Sequence, residues 1–238
     1  MRPAPSHDTV SAILLIGASR GLGLALAAEF LKKGWNVVGT VQDGARTELH
    51  DLADEHPGRI EIESLDITEP DQIMALHDRL SSRSFEILFH NAGIANANPH
   101  QSVAAASTEE FVRVMVTNAL SPMRVIEGLQ DLVPVDGLIG IMSSGQGSIS
   151  NNDKGGAEVY RGSKAALNQF MRCYAARHAG APRALVLIAP GWIRTALGGP
   201  DAPFSVADAI PKVVDVLLSQ QGKPGLRYLD REGRAVPW

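Results

Sequence analysis

Short apolar runs and longer amphipathic stretches take turns along this chain. Residues 11–16, Ser-Ala-Ile-Leu-Leu-Ile, read as a strand buried on both faces, and a glycine-rich turn follows. Residues 24–31 then read as a helix that Gly34 caps. Asn36 to Val41 is a second strand, residues 45–56 a charged surface helix, and Ile60 to Leu65 an alternating strand that ends at Asp66. Pro70 to Arg83 reads as a helix with proline in its first turn, and Phe85 to His90 as a fourth strand. Thr108 opens a long helix with Glu109 and Glu110 in its first turn; Asn118 sits mid-course and Pro122 is a potential kink. Residues 137–142 predict the fifth strand, 158–180 a helix, 184–188 the sixth strand, 205–220 a helix, and 226–229 a closing strand.

Strands alternate with helices throughout, without a repeat or an interdomain linker. That order predicts an α/β fold: one mainly parallel sheet, helices on both faces, a single domain over residues 1–238 with residues 1–10 as a flexible tail. In such sheets ligands bind beyond the carboxyl ends of the strands. Gly17, Asp66, Asn91, Ser144, Pro190 and Gly191 each follow a predicted strand, so all are expected at that edge.

Composition narrows the function. The chain is 45% hydrophobic and 20% charged, the balance of a globular domain, and its net charge of −4 gives no electrostatic case for nucleic acid or an anionic membrane. No apolar run approaches the roughly 20 residues of a bilayer crossing. Cys173 is the one cysteine, which fits a reducing, cytoplasmic setting; its place in a helical stretch predicts a buried packing role. The 7 histidines lack ligand spacing, so no metal site is expected, and His90 reads as a packed or solvated residue.

Two stretches carry chemistry. Glu158-Val-Tyr160-Arg-Gly-Ser-Lys164 puts a phenol and an ammonium four residues apart, on one face of a helix. An ammonium within a few ångströms favours the phenolate, so Lys164 is expected to lower the Tyr160 pKa toward the range useful for proton transfer. Gly17-Ala-Ser-Arg20-Gly21-Leu-Gly23 joins a strand to a helix, the context in which backbone N–H groups and the positive dipole end receive a phosphate. Val41 and Gln42 stand after the second strand, where a carboxylate would repel a 2′-phosphate. Arg20 stands in the loop as an attracting cation, so NADP is favoured and NAD is second choice.

Gly17-x-x-x-Gly21-x-Gly23, Asp66, Asn91-Ala92-Gly93, Asn118, Ser144, Tyr160-x-x-x-Lys164 and Pro190-Gly191, taken in this order, resemble the short-chain dehydrogenase/reductase family. Ser143 to Ile149, Tyr160 to Asn168, Pro190 to Thr195 and the Pro237-Trp238 ending look most like its C-factor-like branch, which includes small carbonyl reductases. The resemblance implies a Rossmann-type doubly wound fold and an NADP(H)-dependent oxidoreductase that moves a hydride between nicotinamide and a carbonyl or alcohol carbon. It implies Tyr160 as acid/base and Lys164 as its partner and nicotinamide-ribose ligand. Ser144, ahead of its neighbour Ser143, would bond the substrate oxygen, and Asn118 would hold a relay water. Cofactor contacts are implied at Gly17, Ser19, Arg20, Gly21, Leu22 and Gly23. They are also implied at Asp66 and Ile67 for adenine, and at Asn91, Ala92 and Gly93 on the adenosine side. Pro190, Gly191, Trp192, Ile193 and Thr195 would close over the nicotinamide. Gln42 departs from the branch, where arginine often helps with the 2′-phosphate, and residues 196–203 form only a short lid. A homodimer or homotetramer packed through the Asn118 and Tyr160 helices is implied. The competing reading is a nucleotide-binding regulator of the same fold that turns nothing over.

Overall fold

The structure is a computed structural model that describes residues 10–238; the expected N-terminal tail falls almost wholly outside them. The strands are β1 (Ala12–Ile16), β2 (Asn36–Val41), β3 (Ile60–Ser64), β4 (Ile87–His90), β5 (Leu138–Met142), β6 (Ala184–Ala189) and β7 (Gly225–Asp230). The helices are α1 (Gly21–Lys32), α2 (Glu48–Glu55), α3 (Pro70–Leu80), α4 (Thr108–Met115), α5 (Ser121–Leu129), α6 (Glu158–Arg177) and α7 (Val206–Gln220).

All seven strands pair in parallel, in the order β3-β2-β1-β4-β5-β6-β7. The chain runs outward from β1 to β3, then crosses back to lay β4 on the other side of β1. That reversal opens a crevice between the carboxyl ends of β1 and β4, where doubly wound sheets take their ligands. β1, β4, β5 and β6 are almost fully buried, which is why they are continuous Ile/Leu/Val runs instead of alternating ones.

One face of the sheet packs Leu26 and Phe30 of α1, Leu49 of α2, and Ile210, Val213 and Leu217 of α7. The other packs Ile73 and Leu76 of α3, Val125 and Ile126 of α5, and Leu167 and Met171 of α6. β7, expected only as a short closing strand, spans six residues and completes the parallel edge beside β6.

Three expectations are corrected. The helix from Thr108 is not continuous: a five-residue π-turn, Val116–Leu120, separates α4 from α5. Pro122 has no N–H to give the Asn118 carbonyl four residues back, which is a physical reason for the ladder to slip there. Ser107, not Thr108, caps α4 by accepting from the Glu110 N–H at 3.2 Å. Cys173 is exposed, because Leu167, Met171 and Tyr174 take the buried face of α6 and Cys173 falls on the other.

Candidate active site

The glycine loop is shaped by what it must avoid. A side chain at Gly23 would put its Cβ 2.0 Å from the Gly17 carbonyl oxygen, and one at Gly17 would lie 2.8 Å from the Ala92 Cβ. Gly17 and Gly21 have φ of +83° and +58°, the left-handed region glycine enters without strain. The loop is tied from both neighbouring strands. Gly17 N–H donates to Thr40 Oγ1 at 2.9 Å, and Asn91 Nδ2 donates to the Gly17 carbonyl at 2.9 Å across the crevice. Asn91 therefore acts here as a strap on the loop. The first N–H groups of α1 face outward beyond a bare Gly21, which has no heavy atom near its missing Cβ. The cradle fits a dinucleotide pyrophosphate.

At the ribose end, Gln42 Nε2 donates to Asp66 Oδ2 at 3.0 Å, while Asp66 Oδ1 accepts from Thr68 N and Oγ1 at 2.9 and 2.7 Å. The hydrogen bonds from Thr68 and Gln42 outweigh partial burial and hold the Asp66 carboxyl below its ordinary pKa. Arg20 is exposed and makes no ion pair with the described residues, whereas Arg46 is engaged by Asp51 and Asp54, both at 2.6 Å.

The π-turn places Asn118 at the centre of the site, fully buried. Its Oδ1 accepts from the Ile94 N–H at 2.9 Å, and its Nδ2 donates to the Ile94 carbonyl at 2.7 Å and to Ser163 Oγ at 3.0 Å. An interior asparagine in a helix competes with the backbone. Here it bonds a neighbouring strand end and α6 together. Gly93 lies flat against it: a Cβ there would come within 3.3 Å of Asn118 Oδ1 and 3.4 Å of Lys164 Nζ.

Lys164 is buried and its ammonium donates to the Met142 carbonyl at 3.0 Å. Burial lowers its pKa to about 8. Tyr160 is half-buried one turn earlier, with Lys164 Nζ 5.9 Å from its ring centroid. The expected electrostatics are corrected at this point. Burial pushes the Tyr160 phenol above its ordinary pKa, the Ser144 hydroxyl beside it pulls the other way, and burial wins. The ammonium is directed at a backbone carbonyl and not at the phenol, and burial alone carries a shift toward neutrality onto the lysine.

Ser144 and Ser143 separate cleanly. Ser143 Oγ is buried and donates to Asn168 Oδ1 at 2.6 Å. Ser144 Oγ accepts from the Gln146 N–H at 3.2 Å, which leaves its own proton free for the phenol or for a substrate oxygen. α6 begins at a strained point just before Tyr160: Ala157 has φ of +47°, pinned by its N–H to the Pro99 carbonyl at 3.0 Å.

The segment after β6 is internally braced. Trp192 Nε1 donates to the Gly198 carbonyl at 2.6 Å, Arg194 Nη1 to the Ala202 carbonyl at 2.8 Å, and Gly198 N–H to Thr195 Oγ1 at 3.0 Å. The Trp192 ring remains 54% exposed, and Ile193 is buried. Ser19, Ala92, Pro190 and Gly191 sit on the loops after β1, β4 and β6, Leu22 lies in the first turn of α1, and Ile67 follows β3 into the core.

Sequence reasoning passed over Asn168 and Tyr228. Asn168 bore the same signal as Asn118, a buried amide inside a helix. Tyr228 bore none that is local. Of the packed and solvated readings of His90 the structure shows the packed one; both ring nitrogens lack a partner, and burial lowers its pKa to about 3, with Lys164 adding to the shift. It is a neutral imidazole under the site. No three His, Cys, Asp or Glu side chains gather to hold a metal ion among the described residues. No helix of the described residues is long and apolar enough to cross a membrane.

Residues 17–210 match a family model described as enoyl-(acyl carrier protein) reductase. A solved structure from Burkholderia multivorans, described as a short-chain dehydrogenase/reductase with bound NADP, superposes at a TM-score of 0.95 and 64% identity, over 96% of this chain and 100% of that one. A carbonyl reductase from Pseudomonas aeruginosa PAO1 in complex with NADP gives 0.89 and 31%, over 97% and 100%. The C-signal protein of Myxococcus xanthus is 30% identical over 155 residues, 64% of this chain and 92% of that one.

Proposed function

The chain belongs to the short-chain dehydrogenase/reductase family, and from that premise we propose that Asn118, Ser144, Tyr160 and Lys164 are its catalytic residues. It is an NADP(H)-dependent oxidoreductase acting between a carbonyl and an alcohol, with a tyrosine as acid/base. The observation that carries the assignment is the half-buried Tyr160 phenol, one helical turn from a buried Lys164 and facing the free Ser144 proton at the carboxyl edge of the sheet.

NADP, when bound, supplies or takes the hydride. The chain supplies place and protons. Gly17, Ser19, Arg20, Gly21, Leu22 and Gly23 hold the pyrophosphate and 2′-phosphate end. Asp66 and Ile67 hold the adenine, and Asn91, Ala92 and Gly93 line the adenosine side. Pro190, Gly191, Trp192, Ile193 and Thr195 cover the nicotinamide. In carbonyl reduction Ser144 donates to the substrate oxygen, where negative charge grows, and Tyr160 gives that oxygen its proton. One donor so aimed contributes about 3 kcal/mol to the barrier reduction. Lys164 holds the nicotinamide ribose and, as the group with the lower pKa, passes a proton back to Tyr160. Asn118 fixes the π-turn and, through its carbonyl, a water that leads the proton to solvent. In alcohol oxidation each proton runs the other way.

The partners in this reading are a small carbonyl or alcohol substrate and a second copy of the chain, in a cytoplasmic setting that the single cysteine supports. The test is turnover. Purified protein with NADPH and a panel of aldehydes and ketones should lose NADPH absorbance and yield the alcohol. Tight nucleotide binding with no turnover on a broad panel would favour the regulator reading.

A further inference from the structure

We infer that Tyr228 and Asn168 are positioning residues that hold the Ser144 hydroxyl in place against the reacting oxygen. The inference rests on the assignment of Ser144 above. Ser144 opens a loop, Gly-Gln-Gly-Ser-Ile-Ser at 145–150, whose two glycines and polar residues give it little conformational preference of its own. A hydroxyl on such a segment stabilises a developing charge only if something else fixes it, because donors act when held within about 0.5 Å of the productive position.

The fixing groups come from α6 and from the far edge of the sheet. Tyr228, on β7 and 3% exposed, donates its hydroxyl to the Ser144 carbonyl. Asn168, one turn beyond Lys164 on α6 and equally buried, accepts from Ser143 Oγ at 2.6 Å and donates Nδ2 to the Gly147 carbonyl at 3.2 Å. Gly147 lies flat on α6, where a Cβ would come within 3.0 Å of the Lys164 Cβ. Residues 143, 144 and 147 are thus each pinned, on both sides of the working hydroxyl. The Tyr228 ring is itself packed: its centroid lies 5.3 Å from that of Trp238, and the Arg172 guanidinium lies 4.6 Å from the Trp238 ring. Burial raises the Tyr228 pKa, so its hydroxyl keeps its proton and remains a donor across the working pH range. The same α6 that carries Tyr160 and Lys164 therefore also carries the residue that sets the serine loop. One rigid element registers donor, acid and lysine together.

A buried tyrosine needs an acceptor in any fold, so stability alone does not separate positioning from packing. Coupling does. The test measures carbonyl reduction, NADP affinity and melting temperature for the wild type, Ser144→Ala, Tyr228→Phe and the double variant. Tyr228→Phe removes one oxygen and keeps the ring, so the fold is preserved. Positioning predicts that kcat falls about 10-fold, the size usual for a supporting contact, with NADP affinity unchanged within about 2-fold. In the Ser144→Ala background the same change should cost less than about 2-fold, since nothing remains to be positioned. A wild-type rate for Tyr228→Phe beside a slow Ser144→Ala overturns the inference alone. An equal loss in both backgrounds also overturns it, as a general effect on the fold. A wild-type rate for Ser144→Ala would instead remove the Ser144 assignment, and this inference with it.

Discussion

At the scale of single residues, the Tyr160–Lys164 pair was legible from its spacing, but its electrostatics were not. The i, i+4 rule says two groups share a face; it does not say what else on that face competes for them. The Met142 carbonyl does compete, at 3.0 Å from Lys164 Nζ, and burial then acts on both groups. The result has a pH signature. Lys164 loses its proton at about 8, while the Tyr160 phenol holds its own beyond the ordinary tyrosine value. Below about 8 the lysine is charged and can return a proton to the phenol; above it the supply fails. Plots of kcat/KM for carbonyl reduction against pH should be flat below about 8 and fall about tenfold per unit above it, and alcohol oxidation should rise through the same region. Lys164→Arg should abolish the inflection. Arg20 makes a second residue-scale prediction, because it is exposed and free of ion pairs among the described residues. Arg20→Ala should raise the KM for NADPH about 10-fold and change that for NADH by less than about 2-fold, since only the former carries the 2′-phosphate. Cys173 shows the opposite limit of reading residues one at a time: helical context alone did not say which face it takes.

At the scale of elements, strands β1, β2, β5 and β6 were readable almost to the residue, because each is a buried apolar run closed by a glycine, proline or polar turn. The helix ends were less so, with α2 beginning at Glu48 after a Thr47 cap instead of at residue 45. The π-turn was hidden for a physical reason. It is a slip of one residue in a hydrogen-bond ladder, and it leaves the apolar periodicity of residues 108–129 almost unchanged. Its two traces, Asn118 in a helix interior and Pro122 four residues on, were visible but pointed to a kink, not to a π-turn. The glycine loop gives the element-scale prediction. Gly23→Ala would drive a Cβ to 2.0 Å from the Gly17 carbonyl, so loop or helix must shift and the phosphate cradle opens. Titration with NADP should show affinity lowered at least about 100-fold, consistent with lost backbone N–H contacts to a charged group. Retained affinity would mean that the pyrophosphate lies elsewhere.

At the scale of the whole molecule, the parallel sheet with helices on both faces followed from the alternation of elements, but the strand order did not. The jump from β3 back across the sheet to β4 depends on which edges pair, and sequence order alone leaves that open. That jump makes the crevice that gathers Gly17, Asn91, Ser144 and Tyr160 from distant parts of the chain. Assembly belongs to this scale too. Phe111 and Val112 on α4 and Phe170 on α6 are 40–48% exposed, and α4 packs beside α6. In the proposed dimer these helices meet their copies, so Phe170→Glu should lower the mass seen by light scattering from a multiple of 25.4 kDa toward that value. An unchanged multiple would place the interface on another face. The proposed reaction depends on Tyr160 handing a proton to the oxygen that gains negative charge during hydride transfer. The most direct measurement is the single-turnover rate of NADPH oxidation with a carbonyl substrate, in wild type and Tyr160→Phe, with NADP affinity measured in both. The rate should fall by about 10³-fold while affinity stays within about 2-fold. A Tyr160→Phe enzyme that still reduces the carbonyl at close to the wild-type rate would contradict it.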